Sequence, residues 1–146
     1  MNTQELEHSI RDAFRNTPYP KGKLTDTYDD EGVAEYFSGT TWSEHSVSNL
    51  RHHVAALSFF EPDAFRYFLP AFMLAELENR EVADVIKESI VFSFGEPEGY
   101  WVSMYEKRIS LFTKEEKIAI MSFLSYMGQE SCFCEYVTYA FNRLRS

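Results

Sequence analysis

Four histidines, His8, His45, His52 and His53, are the side chains best suited to proton transfer or metal binding near neutral pH. Two ligands on one helix share an ion at i, i+3 or i, i+4 spacing, where their side chains meet. His45 and His52 are seven residues apart, about 10.5 Å of helix rise, which is too far. Adjacent His52 and His53 point to different faces. His53 falls beside Leu50, Val54 and Leu57, so it reads as a partly buried side chain with a hydrogen-bond partner. No metal is implied. The one catalytic arrangement left open pairs His52 or His53 with a nearby carboxylate as acid and base.

The acidic run Asp26-Thr27-Tyr28-Asp29-Asp30-Glu31-Gly32 invites comparison with a calcium loop. With Gly32 at the sixth loop position, Thr27 stands first and Ser38 twelfth. The first carboxylate and the bidentate glutamate are then both missing, which leaves helix capping and a solvated face. Cys132 and Cys134, the only cysteines, point in nearly opposite directions on a helix and lack the Cys-x-x-Cys spacing of redox or zinc sites. They read as reduced thiols. Arg66 and Tyr67 interrupt an apolar stretch, where an arginine usually joins helices through an ion pair while its stem packs on apolar surface. There is no Gly-x-Ser-x-Gly elbow, Gly-rich phosphate loop or His-Glu-x-x-His helix. The chain is therefore read as no enzyme, with no catalytic residue and no cofactor assigned.

Charge narrows the partners. The formal net charge is −9, and residues 1–106 carry nineteen acids against eight bases, while residues 107–146 carry four against six. Residues 24–50 hold six acids and no Lys or Arg. Such a surface repels phosphate backbones and anionic membranes, so neither nucleic acid nor membrane is expected as a partner. The polar, acidic N-terminus is unlike a secretory signal, and no run approaches a membrane span of about 18 apolar residues. A cytoplasmic location is expected.

The elements that must position these groups read as helices. Residues 3–16 place Leu6, Ile10, Ala13 and Phe14 on one face, with Thr3 as N-cap. Pro18 and Pro20 stop that helix, and an irregular loop follows to Tyr28. Asp29 or Asp30 is the expected cap of a short helix carrying Val33, Ala34, Tyr36 and Phe37, ended by Gly39. Residues 46–60 form the next helix, and residues 62–79 one that is apolar almost all round, hence central, with a kink expected at Pro70. Val82, Val85, Ile86 and Ile90 mark a further helix ending near Gly95. After the turn Glu96-Pro97-Glu98-Gly99, residues 100–112 suit a helix, with an extended strand the alternative. Thr113 and Glu116 match a capping box. The last helix carries the stripe Phe133, Tyr136, Val137, Ala140, Phe141 and Leu144. The fold class is all-α, one domain over residues 1–146, an irregular bundle of six to seven helices around a central Pro-kinked helix.

The stretch Ala64-Phe65-Arg66-Tyr67-Phe68-Leu69-Pro70 resembles a family of small uncharacterised bacterial proteins. Tyr19-Pro20, Tyr36-Phe37 with Gly39 and Trp42, and Phe112-Thr113 with Glu115 extend the resemblance over most of the chain. It implies a single helical domain and carries no activity, cofactor or catalytic residue with it.

The function expected is a protein-interaction module of a bacterial cytoplasm, of the immunity or antitoxin kind, whose partner is a basic protein. One-signed surfaces steer association with an oppositely charged partner, and aromatics ringed by charge resemble interface hot spots. The first candidate surface is Asp29, Asp30, Glu31, Glu35, Trp42 and Glu44; the second is Tyr100 and Trp101 beside Glu96 and Glu98. A hydrolase-like enzyme and a homo-oligomeric scaffold are the alternatives.

Overall fold

A computed structural model describes residues 2–26, 32–129 and 133–145. Among these, ten helices follow in order: α1 (Thr3–Phe14), α2 (Val33–Phe37), α3 (Val47–His52), α4 (Ala56–Phe59), α5 (Pro62–Glu78), α6 (Arg80–Ala83), α7 (Ile86–Ser93), α8 (Trp101–Leu111), α9 (Lys114–Met127) and α10 (Cys134–Leu144). The fold is all-α. The described residues contain no strand, only an isolated antiparallel bridge between Thr25 and Phe60. No described helix is long and apolar enough to cross a membrane.

The centre is α5, which runs unbroken through Pro70 and buries most of its residues, Phe65, Phe68, Phe72 and Met73 almost completely. Pro62 opens it at a position where the missing N–H is not needed. Around it pack α1, α3, α6, α7 and α8, while α9 closes on α1 and α10. Four helix N-termini, those of α1, α3, α6 and α9, are capped by side chains. In α9 the Thr113 hydroxyl accepts from the Glu116 amide at 3.1 Å, and Glu116 Oε1 accepts from the Thr113 amide at 2.7 Å, the capping box read from the sequence. In α1 the cap is Asn2 rather than Thr3, its Oδ1 accepting from the Glu5 amide at 2.8 Å.

The helix count exceeds six to seven in part because two expected helices are broken. Residues 46–60 divide into α3 and α4: from His53 onward the bonds tighten to i→i+3, with Val54 N–H to Arg51 O at 3.3 Å and Ala56 N–H to His53 O at 2.9 Å. The second break lies at Asp84, whose φ of 54° ends α6 and resets the phase of α7. Val82 and Val85, two of the four apolar residues that mark the expected helix, are therefore exposed, while Ala83, Ile86 and Ile90 are buried. At α2 the cap position is Gly32, at φ 70°, not Asp29 or Asp30.

Candidate functional site

A groove of about 440 Å³ opens between α4, α7 and α8. One wall is α8, where Trp101, Tyr105 and Arg108 stand at i, i+4 and i+7 and so share a face. The opposite wall brings Val54 and Leu57 from the tightened turns around α4, and Phe92 from α7. Ser58, Ser89 and Ser93 add hydroxyls, and the turn carrying Gly95, Glu96, Pro97 and Glu98 forms one lip. Tyr105 is fixed by its hydroxyl, which donates to Phe94 O at 2.8 Å; burial holds its pKa well above the ordinary phenol value, so the proton stays on.

Arg108 is the unusual member. It is only 8% exposed. Its Nη2 donates to Phe60 O at 2.6 Å, and its guanidinium carbon lies 4.1 Å from the centroid of the Phe65 ring. Its buried Nε has no hydrogen-bond partner. The ion pairs of the described residues do not include it. Burial pulls its pKa down to about 10, against a smaller opposing pull from Glu61, so the side chain remains a cation at neutral pH. Sequence reasoning passed over it, although Tyr105, Arg108, Ile109 and Phe112 follow helical spacing and mark an arginine on an apolar face.

Apolar rings surround the opening. Phe92 is 53% exposed, Trp101 44% and Tyr100 75%, unusual values for such large side chains in one neighbourhood. Phe92 meets Tyr136 at 4.9 Å between centroids, and Tyr100 meets Trp101 at 4.8 Å. Of the second candidate surface, Glu96, Glu98 and Trp101 line the groove, Tyr100 lies against Trp101, and all four side chains are exposed.

The first candidate surface is placed differently. Asp29, Asp30 and Glu31 lie outside the described residues. Glu35 is exposed on α2. Glu44 is also exposed, but its carboxylate accepts from the Thr41 amide and so shapes the turn. Trp42 is half-buried against the core.

The histidines separate. His8 and His52 are exposed. His45, half-buried, has Nδ1 3.0 Å from the Tyr36 hydroxyl and Nε2 2.9 Å from Thr40 Oγ1. Because Thr40 gives its proton to Phe37 O at 2.7 Å, it accepts from Nε2–H, and Nδ1 accepts from Tyr36. His53 stacks on the Tyr36 ring with centroids 4.0 Å apart. Burial lowers the pKa of both His45 and His53, which keeps them neutral. Neither ring is hydrogen-bonded to a carboxylate. Among the described residues no three His, Cys, Asp or Glu side chains are grouped as a metal ion would need.

Residues 2–133 match the model of a family described as a family of unknown function, DUF6714. No curated protein and no solved structure matches the chain.

Proposed function

The chain belongs to the DUF6714 family of unknown function, and from that premise we propose that it is a non-catalytic protein-binding module whose contact surface is the groove between α4, α7 and α8. The observation that carries this reading is the pair of exposed rings lining the groove, Phe92 and Trp101, the latter flanked by Tyr100, beside the Glu96–Pro97–Glu98 lip. Exposed aromatic area costs free energy in water and is regained when a partner covers it. The partner we assign is a basic protein, because the lip is acidic and the whole chain carries −9. An immunity or antitoxin-like role in a reducing bacterial cytoplasm fits, since the exposed Cys134 thiol is free. The enzyme alternative, which rests on His52 or His53, has less support: His53 stacks on Tyr36, His52 is exposed, and neither lines the groove.

The test is capture of a partner by the tagged chain in its own cell, compared among three variants. Trp101→Ala and the double reversal Glu96→Lys with Glu98→Lys should abolish stoichiometric capture, whereas Glu35→Lys with Glu44→Lys should leave it. Capture lost only in the Glu35 and Glu44 variant would move the contact to α2, and a stable dimer in light scattering would point to the scaffold reading.

A further inference from the structure

We infer that the groove receives the C-terminal segment of the partner, its terminal carboxylate held by Arg108 and its last side chain, an apolar one, lying against Leu57, Phe92 and Trp101. This rests on the groove being the partner-contact surface.

The floor of the groove supplies the first reason. Arginines buried this deeply are almost always matched by an anion, because taking a cation out of water is costly. Arg108 is 92% removed from solvent by its 8% exposure and lines the groove; its hydrogen-bond and ring partners, Phe60 O and Phe65, are neutral, and Glu61 acts on it without an ion pair. Its Nε is buried and unused. A carboxylate fits the planar fork of a guanidinium, and it carries a single charge that a partly apolar groove can accept.

The lip decides between a free organic acid and a chain terminus. A small anion entering past Glu96 and Glu98 meets repulsion and brings nothing to offset it. A peptide terminus brings its own Lys or Arg a few residues upstream, where those carboxylates attract it. Ser58 and Ser93 have given their protons to Ala55 O at 2.8 Å and Ser89 O at 2.7 Å. Their oxygens are left as acceptors for backbone N–H groups of an extended segment. A volume of about 440 Å³ suits a few side chains and lies within the usual range for recessed ligand sites.

The experiment titrates the full chain with fluorescein-labelled heptapeptides ending in Leu, Phe or Trp, with Lys at the fourth and fifth positions from the end. Each is made as the free acid and as the C-terminal amide. The inference expects at least one free acid to bind about tenfold or more tighter than its amide, the gain of a charge-assisted hydrogen bond. That preference should disappear in Arg108→Met and survive in part in Arg108→Lys. Should Arg108→Met fail to fold, the acid–amide comparison on the natural chain decides by itself. Equal binding of acid and amide overturns the inference, and if Trp101→Ala then weakens both, the groove still stands as the contact surface. Binding by no peptide overturns it as well. So does 3-phenylpropionate binding as tightly as the best peptide with upstream Lys→Glu making no difference, which would assign the site to a free organic acid.

Discussion

Arg66 Nε donates to Glu116 Oε1 at 2.9 Å, joining α5 to α9 at a carboxylate that is only 1% exposed. The other oxygen of Glu116 accepts from the Thr17 hydroxyl, just beyond α1, so one carboxylate ties three helices and also closes its own capping box. Removing one partner of a buried pair leaves an unmatched charge and typically costs about 3–5 kcal/mol. Glu116→Ala should lose stability in that range in urea denaturation. Arg66→Met should lose less, because the Glu116 carboxylate keeps its bonds from the Thr17 hydroxyl and the Thr113 amide.

Arg108 predicts the opposite balance. It is a buried cation without a counter-ion, so replacing it by an apolar side chain of similar length removes a desolvated charge as well as the bond to Phe60 O. Those effects oppose each other, and Arg108→Met should cost no more than about 2 kcal/mol. A loss as large as that of Glu116→Ala would make Arg108 a structural residue.

The histidines set an acid limit on stability. The pKa values of His45 and His53 are lowered in the fold, first by burial, so the unfolded chain binds more protons below the ordinary value of about 6.5. Stability from these groups is complete above that pH and is lost as pH falls through the lowered folded values. His45→Gln, which retains polar atoms without titrating, should flatten the decline in a series of urea midpoints between pH 7 and pH 5.

Asp84 gives a backbone prediction. Its φ of 54° is unfavourable for a residue with a Cβ, and its side chain offsets this with an exposed ion pair to Arg51 at 3.0 Å. Positive φ costs of order 1–3 kcal/mol for such residues, and an exposed pair contributes about 0–1 kcal/mol. Asp84→Gly should therefore be more stable than Asp84→Ala by about 1 kcal/mol, measured by thermal and urea unfolding.

The helical class was legible because it depends on local patterns: the capping box at Thr113 and Glu116, the apolar α5, and the stripe of α10 all lie within a few turns of chain. The role of Arg66 was legible for a similar reason, since a lone cation on a buried helix needs a partner. The breaks at His53 and Asp84 were not. At the first His53 stacks on Tyr36, and at the second Asp84 takes a positive φ and pairs with Arg51, features that apolar periodicity does not register. The groove was half visible. Glu96, Glu98, Tyr100 and Trp101 stand together in the sequence, whereas Phe92, Leu57 and Arg108 reach the same place from separate helices.

The most direct measurement of the central claim is hydrogen exchange of the chain alone and with its captured partner. The groove reading predicts new protection at the amides of residues 92–101 and around α4, with α2 and the turn at Glu44 unchanged. Protection confined to residues 33–47, or none at residues 92–101, would contradict it.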